Sequence, residues 1–317
     1  MPTTNIYYNT IAGTPGLGPE GLRLESILEN EVQMMLADMA SIRQTNALRF
    51  MGDVAGSGSD AITARFASIG AKTPMAATAA EDTDVAATLP TYSTTTVTIA
   101  RNALRYDISD LASLTGLGAD LDPFRLASSM SQSAEARFME IVCNTFSSAT
   151  ASAGVSGSDM TVTDFYDAMT ALELNNNFGE IFAVLHPRQF SDLVNSLRAE
   201  TSNALAFAPS THDLISIKGQ GYAGRMLGVD IWKSSYVPLN GGATDRIGAM
   251  FSAGAVGYAF GSMRPIIGGV DIRPGGTAVT VEFQRDSSKA LTEVVASLYC
   301  GASLIQDAQM CKIETDA

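Results

Sequence analysis

The most regular helical pattern of apolar and polar positions in the chain runs from Asp122 to Thr150. Asp122 can cap such a helix, and Pro123 suits its first turn, where a backbone N–H has no partner within the helix. At about 1.5 Å per residue, about 25 residues predict a rod of roughly 37 Å. Glu135, Arg137 and Glu140 lie off the apolar stripe. The stripe consists of Ala127, Met130, Ala134, Phe138, Ile141, Val142 and Phe146.

Two stretches with the pattern of β-strands flank a polar segment. Ala61 to Ser68 alternates apolar and polar positions, and Thr91 to Ser109 is rich in β-branched residues. Together they predict a long β-hairpin, which should lie on another surface because an isolated hairpin is at best marginally stable in water. The acidic residues near its tip fit a solvated tip rather than a calcium site, since no loop of properly spaced ligands follows. The charged residues of this hairpin that are expected to meet another surface are Arg65, Lys72, Glu81, Asp82 and Asp84.

The first 21 residues are punctuated by glycine and proline, which is typical of an extended arm. An amphipathic helix follows from about Leu22 to Ala47, and its apolar stripe has no partner nearby in the sequence. An arm and a helix of this kind suggest docking on a neighbouring surface. Gly16, Gly18 and Gly21 spell GxGxxG, but no predicted strand precedes them, so a dinucleotide site is not predicted.

The second half of the chain has the pattern of a compact α/β segment. The spacing predicts a helix near Thr163 to Asn175, a buried strand from Ile181 to Leu185, and a helix after His186 and Pro187. An acidic C-terminal tail is expected to end the chain. The remaining strand-like stretches are Gly224 to Pro238, Ile247 to Gly261, and Val279 to Glu293, the last a long strand or hairpin that continues into residues 294–305.

Charge and cysteine content narrow the range of partners. The 317-residue chain is 46% hydrophobic and 17% charged, a composition that suits folded domains. Its net charge of −13 predicts poor binding to duplex nucleic acid, because affinity for phosphate comes from lysine and arginine. If DNA is a partner, the protein should enclose it rather than grip it. The three cysteines form no CxxC pair, so no zinc site or disulfide framework is predicted, and Cys143 should be a small buried thiol.

Residues that support catalysis are sparse. The sequence contains no HExxH, GxSxG or Walker A pattern. His186 lies at a strand-to-helix junction, where a capping or packing role is favoured over that of a general base. We therefore expect a non-enzymatic protein without a cofactor or metal. Residues 1–20 lack the pattern of a secretory signal, and no long apolar run exists, so a reducing cytosol is the expected setting and no membrane partner is predicted.

The order of these elements resembles that of the major capsid proteins of tailed phages, whose fold is named after phage Hong Kong ninety-seven and is shared by encapsulins. Thr91 to Ala112 is similar to the descending strand of the family's extended loop. Phe182 to Leu193 is similar to the strand, His-Pro and helix of its axial domain. Gly224 to Pro238 resembles a glycine-bounded turn before a hydrophobic strand, and Val281 to Ser297 resembles the long return strand. The resemblance covers nearly the whole chain.

The resemblance implies an α+β fold in four parts. These are an N-terminal arm and helix (about 1–49), an extended loop (50–108), a peripheral domain (109–158 and 262–298) with the rod as its spine helix, and an axial domain (159–261 and 299–317). The apolar stripe of the spine helix should face the return strand, with Phe138 in the core and Arg137 and the glutamates towards a shell surface. A fused scaffold has no counterpart in this sequence, so a separate scaffolding protein is expected. Cross-linking through Lys72 is not expected.

The function that the resemblance implies is structural. The chain would self-assemble into pentamers and hexamers of an icosahedral shell around double-stranded phage DNA, first in the host cytoplasm and then as the virion capsid. Portal and decoration proteins would be further partners, and contact with DNA would be weak. Besides the charged hairpin residues, Arg285 and Lys289 on the return strand are expected to contact other subunits. The alternatives are an encapsulin-like compartment that holds a cargo enzyme, a secreted filament-forming or adhesive protein, and, last, an enzyme.

Overall fold

The structure, a computed structural model, describes residues 42, 45–54, 58–67, 92–111, 123–175, 179–199, 207–209, 221–242, 244–261, 266–267, 270–271, 279–286 and 288–316. The α-helices of these ranges are α1 (Pro123–Asn144), α2 (Val162–Leu174) and α3 (Pro187–Ala199). The strands are β1 (Leu48–Asp53), β2 (Ala61–Ala67), β3 (Tyr92–Thr98), β4 (Ala100–Ser109), β5 (Ala151–Ala153), β6 (Ile181–Leu185), β7 (Phe207–Pro209), β8 (Tyr222–Met226), β9 (Val229–Lys233), β10 (Asp245–Ser252), β11 (Val256–Phe260), β12 (Ile266–Ile267), β13 (Val270–Asp271), β14 (Val279–Asp286), β15 (Leu291–Leu304) and β16 (Met310–Asp316).

Helix α1 is the predicted rod. Pro123 occupies its first position as predicted, whereas Asp122 lies outside the described residues. The helix has 22 residues, about 33 Å at about 1.5 Å each, and a short 3-10 helix (Thr145–Ser148) continues it. The predicted stripe is confirmed at the positions that are at most 2% exposed, and Ala134 and Ile141 are partly buried beside them. Those buried positions are Ala127, Met130, Phe138, Val142 and Phe146.

A five-stranded sheet has β15 at its centre. The strand order is β1-β11-β15-β14, and β4 pairs with the other edge of β15. Strands β14 and β15 form an antiparallel hairpin in which Asp286 pairs with Leu291. The return segment is therefore a hairpin, which was one of the two predicted alternatives. Lys289 lies in its turn and not on a strand, so its predicted place on the return strand is wrong. The intervening segment 288–290 includes Ala290 at φ 49°, which ends the ladder.

Helix α1 lies on one face of the five-stranded sheet, which we call the helix face. Phe138 packs edge-on against Tyr258 of β11, with 5.4 Å between ring centroids, and lies 5.7 Å from the ring of Phe260. Val294, Ala296 and Leu298 of β15 belong to the same core cluster. The predicted contact between the apolar stripe and the return segment is thus confirmed. We call the opposite face the hairpin face.

A seven-stranded sheet forms the other half of the fold, in the order β5-β16-β10-β6-β9-β8-β7. Helices α2 and α3 supply residues such as Phe165 and Leu193 to the core cluster on one of its faces. The other face meets the end of the spine, where the ring of Phe146 lies 5.9 Å from that of Phe251 on β10. Because α1 packs against one sheet and the residues that follow it pack against the other, the spine joins the two halves.

The predicted α2, β6 and α3 are confirmed with small shifts in their bounds. Helix α2 begins at Val162 because Thr161 and Asp164 form a capping box, in which each side chain accepts a hydrogen bond from the other residue's backbone N–H. The predicted N-terminal helix lies mostly outside the described residues. Its predicted end, Ala47, lies in a turn that leads into β1, and Ile42 is buried in the core.

The prediction of an acidic C-terminal tail is wrong. Residues 310–316 form β16, which lies between β5 and β10 inside the seven-stranded sheet. Met310, Cys311 and Ile313 are fully buried, and the acidic side chains of Glu314 and Asp316 alternate with buried positions. An alternating strand with acidic residues on one face has the composition of a tail, which explains the error.

Each of the two large sheets is built from segments that lie far apart in the chain. Ile247 to Gly261 is not one stretch of strand, because a turn at Gly254 (φ +81°) separates β10 from β11, and the two belong to different sheets. Strand β5 joins the seven-stranded sheet, whereas β15 stays in the five-stranded sheet as far as Leu304. Strands β1 and β4 also belong to the five-stranded sheet, so the described hairpin consists of β2 and β3 alone.

Candidate subunit interfaces

The hairpin formed by β2 and β3 has two different faces. Its register runs from Ala61 opposite Thr98 to Ala67 opposite Tyr92, which confirms the predicted pairing for the described strands. Val97, on the face towards the five-stranded sheet, is fully buried. The other face is exposed and polar, and it carries Thr63, Arg65, Thr94, Thr96 and Thr98. Lys72, Glu81, Asp82 and Asp84 lie outside the described residues, so Arg65 is the predicted contact residue that this face displays.

The hairpin face of the five-stranded sheet carries a set of charges that the sequence reasoning missed. Arg105 donates to Asp107 with 2.8 Å between Nη2 and Oδ2, and its Nη2 lies 2.7 Å from the Glu293 carboxylate. The hydrogen bond from Arg105 lowers the pKa of Asp107. Exposed pairs of this kind contribute little to the stability of the fold, because water and salt screen them. In the sequence, the signal was that Arg105 and Asp107 are two positions apart in a predicted strand, which places both on the same face.

Arg285, a predicted subunit contact, meets a partner within its own chain. Its guanidinium donates two hydrogen bonds to the Asp110 carboxylate, at 2.7 and 2.6 Å. These bonds are the main reason that the pKa of Asp110 is lowered. The pair fixes β14 to the residue that follows β4. Lys289 lies 3.3 Å from Asp286 and is 62% exposed at the side chain. The intersubunit roles of both residues stay predictions.

The predicted spine residues separate into core and surface. Phe138 is 2% exposed, Glu135 is half-buried, and Arg137 is exposed. Arg137 also joins α1 to β4, because its Nε donates to Asn102 Oδ1 at 2.8 Å while its Nη1 lies 2.7 Å from Glu140. A groove of about 320 Å³ lies beside this contact and is lined by Ser133, Ala134 and residues of β4, β14 and β15. Arg137 therefore positions the helix as well as facing outwards.

His186 caps helix α3, which is one of the two roles predicted for it. Its ring Nδ1 accepts a hydrogen bond from the backbone N–H of Arg188 at 3.3 Å. The backbone N–H of His186 donates to Gln189 Oε1 at 3.0 Å. Burial lowers the pKa of His186, and the positive charges of Arg246 and Arg188 lower it further. A neutral imidazole is the form that can accept at Nδ1.

Gln189 is a buried polar residue that the sequence reasoning missed. It is fully buried, and its Nε2 donates to the carbonyl of Arg246 at 3.0 Å and to Thr315 Oγ1 at 2.9 Å. A Cβ at Gly248 would lie 2.8 Å from Gln189 Oε1, so the glycine leaves room for the amide. Gln189 thereby joins α3 to β10 and β16. The signal was a glutamine three residues after the helix cap, the position from which its side chain returns to the cap N–H.

We expect Gln189→Leu to lower the free energy of unfolding by about 2–3 kcal/mol. Leucine is similar in size, but it leaves buried polar groups without a partner, at about 1–3 kcal/mol each. Urea unfolding followed by circular dichroism measures the loss. Arg198→Leu, at an exposed position of the same helix, is the matched control and should change stability by less than about 0.5 kcal/mol. Equal stability of the two variants would contradict the role of Gln189.

Asp245 closes one end of the seven-stranded sheet. Its carboxylate is buried and accepts hydrogen bonds from the Ser156 hydroxyl, from the Gly157 N–H at 2.9 Å, and from Asn240 Nδ2 at 2.8 Å. The bond from Ser156 is the main reason that the pKa of Asp245 is lowered. The loop before β10 and the loop after β5 are therefore joined through a charged carboxylate.

We expect stability to fall in two stages as the pH is lowered. His186 and Asp245 both have lowered pKa values in the folded state, so the unfolded chain binds their protons more readily. The contribution of His186 is complete above about pH 6.5 and is lost below it, and that of Asp245 is complete above about pH 4 and is lost as the pH falls further. Thermal unfolding from pH 8 to pH 3 measures both stages. His186→Asn should weaken the first stage only; an unchanged first stage in that variant would contradict the assignment.

The cysteines are buried thiols. Cys143 is fully buried as predicted, and burial raises its pKa to about 12, while burial raises the pKa of Cys311 to about 11. Both thiols are therefore protonated at neutral pH, the form that is a poor nucleophile. Within the described ranges, no group of His, Cys, Asp and Glu side chains could hold a metal ion. No helix in the same ranges has the length and apolar character needed to cross a membrane.

Comparison with known proteins identifies the fold. The sequence matches no protein-family model and no curated protein. The structure is similar to the holo-SrpI encapsulin complex of Synechococcus elongatus, with a TM-score of 0.57, 14% identity and 85% of each chain covered. It is also similar to the capsid of Ralstonia phage GP4, with a TM-score of 0.53, 11% identity, and 89% and 90% of the two chains covered. For the capsid of cyanophage P-SCSP1u the values are 0.52, 12%, and 87% and 88%.

These similarities extend over most of each chain. The chain has an α+β fold of the Hong Kong ninety-seven capsid type.

Proposed function

We propose that the chain is the major capsid protein of a tailed phage and that it self-assembles into pentamers and hexamers of an icosahedral shell. The observation that carries this proposal is the hairpin of β2 and β3. It is buried at its base against its own subunit, at Val97, while its polar face with Arg65 is exposed. An isolated hairpin is at best marginally stable, and the exposed polar face gives this hairpin a surface on which a neighbouring subunit would pack. The capsid-type fold also supports the proposed assembly into a shell.

The charge of the chain suits a container. With a net charge of −13, the shell would enclose double-stranded DNA with weak contacts and without a tight phosphate-binding surface. A separate scaffolding protein, a portal and decoration proteins would be its further partners. Assembly would take place in the host cytoplasm, and the mature protein would reside in the virion capsid. The role is structural and non-enzymatic.

An encapsulin-like compartment is the second candidate, because the fold is as similar to an encapsulin as to phage capsids. The two candidates differ in their contents. Negative-stain microscopy of the purified chain separates them: large closed shells support the phage capsid, and small shells that copurify with a second protein support the compartment. A chain that stays monomeric at every concentration contradicts both.

The hairpin provides a sharper test of assembly. We expect that replacing residues 68–91 with a two-residue Asn-Gly turn will leave the subunit folded but abolish stable shells. A two-residue turn of this type is compatible with the pairing of β2 and β3, so the subunit core should be unaffected. Light scattering during urea titration measures shell dissociation, and circular dichroism checks the fold. Shells of undiminished stability in this variant would show that the hairpin does not hold subunits together.

A further inference from the structure

The loop before β10 contains the one Asn-Gly pair of the sequence, at Asn240 and Gly241. An asparagine side chain before a glycine is chemically labile, because the backbone nitrogen of the glycine can attack the side-chain amide without hindrance from a Cβ. Gly241 is exposed, and a Cβ placed on it would meet no atom within 4 Å. Packing therefore does not require a glycine at this position.

The side chain of Asn240 is held at both ends of its amide. Its Nδ2 donates to Asp245 Oδ2 at 2.8 Å and to Glu314 Oε1 at 3.1 Å. Attack on Cγ by the backbone nitrogen of Gly241 moves Cγ towards that nitrogen and expels Nδ2 from its two acceptors. The folded chain therefore resists the reaction. The Oδ1 atom accepts hydrogen bonds from three backbone N–H groups of the same loop, at 3.1, 3.1 and 3.4 Å: Gly242, Thr244 and Asp245.

The two acceptors of Asn240 Nδ2 belong to neighbouring strands of the seven-stranded sheet. Asp245 is the first residue of β10, and Glu314 lies on β16. Asp245 also accepts hydrogen bonds from the Ser156 hydroxyl and the Gly157 N–H, in the loop after β5. A neutral amide thus lies between two carboxylates and joins the loop before β10 to the end of the sheet.

We propose that Asn240 is a modification site, at which the fold suppresses spontaneous deamidation and at which deamidation, once it occurs, releases the loop from the sheet. The nitrogen of Gly241 loses its proton and forms a bond to Asn240 Cγ, and the side-chain nitrogen leaves as ammonia. Water then opens the resulting imide ring at either carbonyl, to give aspartate or isoaspartate. The sum is one water consumed and one ammonia released, with no change in oxidation state.

The product places a third carboxylate at the end of the sheet. An oxygen takes the place of Nδ2, which lies 2.8 Å from Asp245 and 3.1 Å from Glu314. Ionised carboxylates only accept hydrogen bonds, and like charges at such distances repel each other strongly. The isoaspartate product also lengthens the backbone of the loop by one carbon. This inference depends on contacts within one chain and goes beyond the proposed assembly.

The test measures the rate of deamidation by mass spectrometry of the peptide that contains Asn240. The full chain is incubated at mildly alkaline pH, at a dilution that keeps subunits apart. We expect the folded chain to react at least about tenfold more slowly than the chain unfolded in guanidinium chloride, because the reaction requires opening of the loop.

Two variants test the network in the folded chain. Glu314→Ala removes one acceptor of Asn240 Nδ2 and should speed deamidation of the folded chain by about fivefold, the effect of one hydrogen bond. In guanidinium chloride the same variant should react at the wild-type rate. Lys312→Ala, on the same face of β16, is the matched control and should leave both rates unchanged.

Two further variants test the chemistry and its consequence. Gly241→Ala should keep the guanidinium midpoint of the wild type, because its methyl group meets no atom within 4 Å. It should slow deamidation of the unfolded chain by at least about tenfold, because the Cβ hinders the attacking nitrogen. Asn240→Asp carries the charge of the product and should lower the guanidinium midpoint by about 0.5 M.

Three results would overturn the proposal. Equal rates in the folded and unfolded chains would show that the hydrogen bonds do not protect the amide. A faster rate in the folded chain would show that the N–H groups around Oδ1 promote the attack. An unchanged midpoint in Asn240→Asp would show that deamidation leaves the loop in place. Failure of the chain to form shells would contradict the proposed function and leave these rates as they are.

Discussion

Phe138→Asp should yield no folded subunit. Phe138 is 2% exposed and lies between the spine helix and the aromatic residues Tyr258 and Phe260. Truncation of a buried phenylalanine alone costs about 3–5 kcal/mol, and a carboxylate without a partner in the same space costs several more. The sum reaches the total stability of a typical domain, about 5–15 kcal/mol. Soluble yield and circular dichroism of the purified variant measure the outcome.

Ser133→Asp is the control on the same helix. Ser133 is half-buried at the groove beside Arg137, so a carboxylate there can reach water and a guanidinium. We expect this variant to fold with a loss of under about 1 kcal/mol, and any defect should appear in assembly. Folded Phe138→Asp protein, or an unfolded Ser133→Asp variant, would contradict the assignment of these two positions to core and surface.

The sequence alone predicted the elements whose cause is local. The spine helix follows from its apolar period, and the pairing of β2 with β3 follows from two alternating stretches around a polar segment. The strand from Ile181 to Leu185, and His186 as the cap of the next helix, were also correct because strand length, proline and capping are decided within a few residues. The order of these elements then supported the resemblance to capsid proteins.

What could not be predicted is which strands pair at long range. Strands β10 and β11 are adjacent in sequence and similar in composition, yet they belong to different sheets. The sequence also contained no sign that Thr98, at the end of β3, approaches Gly301 of β15 so closely that a Cβ there would lie 2.0 Å from the Thr98 carbonyl oxygen. The partner of Arg285 is Asp110, and a separation of 175 residues leaves no trace in local spacing. Charged residues were therefore easier to place on the surface than to pair.

Deletion of residues 310–316 should unfold the seven-stranded sheet, although their composition predicted an acidic tail. Strand β16 pairs with β10 along its whole length and with β5 on its other edge. Its loss exposes those edges and leaves Gln189 without the acceptors at Ile313 and Thr315. Fully burying one aliphatic side chain contributes about 1.5–3 kcal/mol, so removal of Met310 and Ile313 alone costs a large part of the total stability. Soluble yield and hydrogen exchange of β6 and β10 measure the effect.

Point substitutions separate the strand from the tail more finely, because the alternation along β16 supplies its own control. Ile313 is fully buried, so Ile313→Ala should lower the free energy of unfolding by about 2–5 kcal/mol. Lys312 is its neighbour, with its Nζ at 4.0 Å from Glu314, and Lys312→Ala should cost under about 1 kcal/mol because such a pair is weak. A flexible tail would tolerate both changes equally. If residues 310–316 form a strand in the core, the free energy of unfolding must fall much more in Ile313→Ala than in Lys312→Ala. Equal stabilities of the two variants in urea would show that residues 310–316 do not contribute to the core.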